Sequence, residues 1–485
     1  MSVLLIEAGG TDDLPQIQDA ARWRENFYTE QDWAFRCRSN PHLNGRSMPW
    51  PMGKVLGGSS SINAMAWARG HKNDWDFFAS EVDDDGWSYC HVLDIYKNVE
   101  NWQGPDNPEW RGTDGPVVIR PQRQTNLGAA VFESCASRGI PSYIDQNGEL
   151  MENPAGAALG EYLIIDGKRQ SIFRSYAYPY MDRPNLTILT HALVTRILFS
   201  GTTAVGVEVV VSGTPHKFGI GNELILSLGA IQTPKVLMQS GIGDESHLRE
   251  FGVAVVQNIP GVGRNLQDHN LFAACVWQYP AGEPQRIGSP GVANFFCKSD
   301  EGLVDPDLVC LVQNDRFPGP ETNKLDAAAR YWSIVPSLMR PRSHDRVYLT
   351  GPNPNNPVDI DAQVLSDPPD LKAAVSGIKV CHEIGGHEAF RYTKSRPIMP
   401  VNGSDKDLED FVRNGAISFH HYACTAKMGS DAMSVVDGDL RVHGIENLRI
   451  ADASVLPRIT TGNTMAPCVV VGERAAAMLR EHWKC

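Results

Sequence analysis

The chain has 485 residues, 42% of them hydrophobic and 21% charged, with 44 Lys+Arg against 57 Asp+Glu for a net charge of −13. This length predicts roughly two or three structural units around sizeable cores, and the apolar content excludes a disordered chain. No apolar run approaches the ~20 residues of a membrane span, and the acidic balance speaks against nucleic acid or anionic lipid as the main partner. The ten cysteines, Cys37 to Cys485, are scattered singly with no CxxC pair, which predicts reduced thiols in a cytoplasmic enzyme rather than a zinc or disulfide scaffold. The sequons at Asn185 and Asn402 are then chance occurrences.

In chain order, Val3–Ile6 reads as a buried parallel strand ending at Glu7 and the turn Ala8-Gly9-Gly10. An acid in that place can hold ribose hydroxyls in a dinucleotide fold, or can simply be a solvated strand end. Residues 11–50 are aromatic-rich and irregular. Gly53-Lys54-Val55-Leu56-Gly57-Gly58-Ser59-Ser60-Ser61-Ile62-Asn63 is small and flexible, which suits backbone approach to an anion or a flat ring, or merely a tight packed loop. Residues 72–90 suggest an amphipathic helix and a turn. Strands are expected at Leu186–Leu189, Val194–Phe199 and Gly206–Val211, and Glu223–Leu228 is a further strand feeding a helix from Gln232 to Gln239. Residues 270–400 are richer in proline and lack this regularity, which predicts a separate cap or substrate unit. Leu448–Ala451 leads as a strand to Asp452, and Ala466–Glu481 reads as one helix.

One constellation could carry chemistry. His420 and His421 are adjacent, and Asn463 follows 42 residues after His421. A histidine is a natural general base near neutral pH, and an asparagine can donate to a developing alkoxide without titrating. A buried, hydrogen-bonded histidine pair is the plainer reading of the same residues. Metal catalysis is disfavoured, because His382 and His387 miss the i, i+4 spacing of H-E-x-x-H, and no G-x-S-x-G elbow supports a serine hydrolase.

Taken together, the blocks at 53–63, Gly229-Ala230-Ile231-Gln232-Thr233-Pro234 through Gly243, Pro260-Gly261-Val262-Gly263-Arg264-Asn265-Leu266-Gln267-Asp268-His269, and 421–473 resemble the glucose–methanol–choline (GMC) family of FAD-dependent oxidoreductases along essentially the whole chain. The resemblance implies an α/β fold, in which an FAD/NAD(P)-binding Rossmann-like domain is interleaved with an α+β substrate domain built on an antiparallel sheet. By position it assigns residues 1–120, 180–270 and 430–485 to the cofactor domain and 121–179 and 271–429 to the substrate domain. It implies that Glu7 holds the adenosine ribose and that Gly57, Gly58, Ser59, Asn63 and Ala64 line the flavin and its pyrophosphate. Val194 would meet the adenine, Asp452 and Ala453 the ribityl-pyrophosphate region, and Thr464 and Met465 the pyrimidine end.

The same resemblance implies oxidation of a small-molecule primary alcohol to an aldehyde. A flavin takes a hydride at N5, His421 accepts the hydroxyl proton, and Asn463 holds the substrate oxygen. Oxygen or a quinone-like acceptor would reoxidise the flavin. No His or Cys stands in the 59–63 block where some members attach FAD, so non-covalent FAD is expected. The chain departs from the family pattern at its start, where a strand and G-x-G-x-x-G turn would precede Val3. That departure predicts weak FAD binding or poor folding for the chain as written, and keeps a flavin-poor inactive remnant open as an alternative. A flavin-containing enzyme of the hydroxynitrile lyase kind is the third reading.

Overall fold

In the computed structural model, which describes residues 1–272, 275–281, 291–400 and 403–484, the proline-rich segment 270–400 carries the largest sheet. Asn402 and Cys485 lie outside the described residues. The sheet has eight strands, all antiparallel. Along one path they run Arg396–Met399, Cys275–Gln278, Tyr331–Leu338, Leu308–Gln313, Ala293–Cys297 and Gly156–Leu159. Asn270–Phe272 pairs with the far end of Tyr331–Leu338 and, on its other side, with Ala416–Ser418. All eight residues of Tyr331–Leu338 are buried. The regularity that the sequence lacks is therefore present in space. A strand covered on both faces shows no polar alternation, so this one, with Ser333 and Ser337 buried among apolar residues, gives no period-two signal. Pro336 sits where its neighbour changes from Cys275–Gln278 to Asn270–Phe272, a place where one missing N–H costs no ladder bond.

The other half of the molecule is built on short parallel ladders. Val3–Ile6 pairs with Leu186–Leu189, and Leu224–Leu226 pairs with Leu448–Ile450. Ala192–Ser200, Thr203–Val211 and Thr214–Gly219 form an antiparallel three-stranded sheet beside them. Val3–Ile6 is parallel as expected but not buried: Val3 is 50% and Leu4 40% exposed, because the strand pairs on one side only among the described residues. The helix after Leu226 runs Gly229–Gln239 with Pro234 inside it, and the last helix runs Met465–Trp483. The 72–90 segment holds the helix Lys72–Val82, a short turn, and the start of a second helix, Tyr89–Val99. The two parallel ladders bring Glu7, Gly229 and Asp452 to the carboxyl ends of their strands, the side on which open α/β sheets bind ligands. No helix among the described residues is long and apolar enough to cross a membrane.

Candidate active site

One cavity of about 1550 Å³ lies between these halves. It is lined by all thirteen of the residues singled out above: Glu7, Gly57, Gly58, Ser59, Asn63, Ala64, Val194, His421, Asp452, Ala453, Asn463, Thr464 and Met465. Its size exceeds the roughly 300–1,000 Å³ of an ordinary ligand pocket and leaves room for a large cofactor and a substrate together.

The catalytic wall begins with a mismatch between two chain segments. Gln267 pairs with Ala423, and Asn270 pairs with Ser418. Two residues, 268–269, therefore face four, 419–422. The longer segment bulges, and His420 takes φ +64° at the bend. Asp268 supplies the partners that the bulge removes. Its Oδ1 accepts the His421 N–H at 2.8 Å, and its Oδ2 accepts the Ser418 hydroxyl at 2.5 Å. The bulge points the His421 ring into the cavity, where Phe419 packs against it at 4.2 Å between centroids.

A single carbonyl then sets the protons. His269 Nε2 lies 3.1 Å from the Met339 oxygen, which can only accept, so Nε2 carries the hydrogen. Burial holds His269 neutral, pushing it down to about 3, so its Nδ1 is a lone pair. That lone pair is 2.9 Å from His421 Nδ1, which must therefore donate. His421 is itself pushed well below its ordinary value by burial and by the neighbouring His269 and His420. Its Nε2 is left unprotonated and accepts from the Asn463 side-chain amide nitrogen at 3.0 Å. Met339 is the first residue after the fully buried strand Tyr331–Leu338, so the tautomer of His421 is anchored to the end of that strand.

Asn463 is held from beneath. Asp74, completely buried, accepts the Thr461 N–H at 2.7 Å and binds Arg340 at 2.9 Å and Arg458 at 3.2 Å. Burial raises its carboxyl, but the two arginines outweigh that and keep it below the usual range. Gly462 N–H also donates to the Met339 sulfur at 3.3 Å. Asp74, Asp268, His269 and Met339 escaped the sequence reading as functional residues. Asp268 and His269 belong to a block matched as family-like, but only the pairing of 267–270 with 418–423 places them at His421.

The opposite wall fits a dinucleotide. Glu7 Oε1 accepts the Gly9 N–H at 2.7 Å, and burial pushes the carboxyl up to about 7, so it lacks donors that a ribose diol can supply. Gly57 and Gly58 take φ +89° and +53°. A Cβ on Gly58 would meet nothing within 4 Å, which leaves its backbone open for close approach. Asn63 Oδ1 accepts from Arg169 Nη1 at 2.8 Å and its Nδ2 contacts the Met465 sulfur at 3.1 Å, tying the glycine turn to the last helix. Asp452 is fully engaged within the protein, with Gly229 N–H, the Thr233 hydroxyl and Ser454 N–H. Thr464 and Met465 open the 19-residue helix, whose N-terminal end favours negative charge.

The GMC oxidoreductase family models match residues 3–271 and 341–472. Mouse mitochondrial choline dehydrogenase is 33% identical over 521 residues, covering 99% of this chain and 85% of that protein. The oxygen-dependent choline dehydrogenase of Paraburkholderia phytofirmans is 34% identical, covering 98% and 89%. Among solved structures, pyridoxine 4-oxidase from Mesorbium loti superposes with a TM-score of 0.91 at 27% identity, over 99% of this chain and 94% of that one. Formate oxidase, at 24% identity, shares the fold with a TM-score of 0.89 over 100% and 94%.

Proposed function

The chain belongs to the GMC oxidoreductase family, and from that premise we propose that it oxidises a primary alcohol to an aldehyde with His421 as the base. Its cofactor is FAD, which when bound supplies the two-electron acceptor for the hydride leaving the alcohol carbon. Glu7 holds the ribose. Gly57, Gly58, Ser59, Asn63 and Ala64 cradle the pyrophosphate and ring, Val194 meets the adenine, and Ala453, Thr464 and Met465 close the other side. None of these residues is a cysteine or histidine, and the cofactor is held without a covalent bond.

The observation that carries the reading is the unprotonated Nε2 of His421 beside the Asn463 amide donor, facing the cavity. An alcohol entering there replaces the bond between them: its O–H donates to Nε2, and its oxygen accepts the amide hydrogen that Nε2 gives up. The hydroxyl proton ends on Nε2, while His421 Nδ1–H stays bonded to His269. Because His421 is held neutral, the base form is present across the neutral range. Oxygen or a quinone-like molecule then serves as the final acceptor.

The test is anaerobic mixing of the FAD-loaded chain with a panel of primary alcohols. Bleaching of the flavin band near ~450 nm with stoichiometric aldehyde is the expected result. Cyanide release from a cyanohydrin with the band unchanged would replace this reading with a lyase.

A further inference from the structure

Among the described residues, the substrate end of the cavity is lined by positive charge only. A chain of ring contacts leads from the bulge at His420 to Arg24. His420 meets Phe27 at 5.5 Å, and Phe27 meets Trp23 at 5.5 Å, both edge to face. The Arg24 guanidinium lies over Trp23 at 4.3 Å and faces Phe317 at 5.5 Å. All of these residues line the cavity. Among the described residues Arg24 makes no side-chain hydrogen bond and no ion pair. Asp315 acts on it only at a distance and does not line the cavity. Arg24 is exposed, so its guanidinium is open to an arriving anion.

The acids lining the cavity are elsewhere. They are Glu7, Asp452 and Glu473, bonded to Gly9, to the 229–233 turn and to Tyr176 in the cofactor half. A quaternary ammonium alcohol therefore finds aromatic faces at the substrate end but no counter-charge among the described residues, and it finds Arg24 as a repelling one. A flat alcohol that carries a carboxylate finds both an aromatic slot and a free guanidinium, the group best shaped for a carboxylate.

We propose that Arg24 is a specificity-determining residue and that the substrate is an aromatic primary alcohol bearing a carboxylate, not a cationic one. This rests on the alcohol oxidation proposed above. The experiment uses the FAD-loaded full chain and compares 4-(hydroxymethyl)benzoate, benzyl alcohol and choline. The expected result is a kcat/KM for the carboxylate about tenfold to a hundredfold above benzyl alcohol, the span of one charge-assisted hydrogen bond. In Arg24→Gln that ratio falls toward one, through KM rather than kcat, and Arg24→Lys restores part of it. Equal rates for the two benzyl compounds, a preference for choline, or an unchanged ratio in Arg24→Gln would overturn the proposal. Binding of benzoate, which cannot be oxidised, is read separately through tryptophan fluorescence, since Trp23 touches Arg24. Saturable quenching that Arg24→Gln abolishes supports the site even where no alcohol turns over, a result that sinks only the oxidation. Quenching identical in both proteins overturns the site.

Discussion

The two walls of the cavity hold their residues by different means. The catalytic wall hangs from an eight-stranded antiparallel sheet whose central strand is buried throughout, and each ring nitrogen of its key histidines has an assigned partner. The cofactor wall is made of turns, glycines at positive φ and two-stranded parallel ladders, the first of them half exposed. The contrast follows from what each must do. A base is useful in only one tautomer, so its support must not relax. A backbone cradle must instead leave N–H groups and space unfilled until a ligand occupies them.

The largest effect that would test this contrast is at the base. His421→Ala is expected to lower anaerobic flavin reduction by about 10²–10⁴-fold with little change in bound flavin. Ordinary reduction rates would break the assignment of the catalytic wall. Next comes packing. Phe295→Ala in the buried sheet should cost about 3–5 kcal/mol, whereas Leu4→Ala on the exposed ladder should stay within about 0.5 kcal/mol, both read from urea midpoints. Similar losses at the two positions would mean that the halves are not unequal in rigidity.

The smallest effect concerns His269 and is read from pH. His421 is held below its ordinary value, so its base form is lost only as pH falls through that lowered value, and kcat/KM should show no acid limb near 6.5. His269→Phe removes the acceptor for His421 Nδ1–H, a bond that favours the protonated base, while the burial that lowers His421 remains. The acid limb should then stay below 6.5, and turnover should fall by about tenfold because the tautomer is no longer held. His269→Gln can still accept that hydrogen and donate to Met339, and should restore most of the turnover. A limb that rises toward 6.5 in His269→Phe, or no rescue in His269→Gln, would reduce His269 to a structural residue.

Much of the cofactor wall was legible in the sequence. The glycine turn at 57–58, the helix 229–239, the strand before Asp452 and the helix from Met465 depend on signals within a few residues of one another. The strand ends that carry Glu7 and Asp452 were found as short apolar runs stopping at an acid. The large sheet was not legible as a sheet from its own residues, because its strands lack polar alternation and Pro336 argues locally against a central strand.

Residue chemistry and short-range pattern by themselves marked His421, Asn463 and the glycine-lined turn as candidates, and the resemblance to GMC oxidoreductases supplied their expected roles and the expectation of a flavin. Only the tertiary structure decided which nitrogen of His421 is unprotonated, because that depends on a carbonyl at Met339 acting through His269, 82 and 152 residues distant from His421. It also decided that Asp74 anchors the Asn463 loop and that Arg24 lines the cavity with no ion-pair partner among the described residues. Hydrogen-bond direction and local charge are properties of neighbours in space, and no spacing along the chain encodes them when the neighbours come from separate strands.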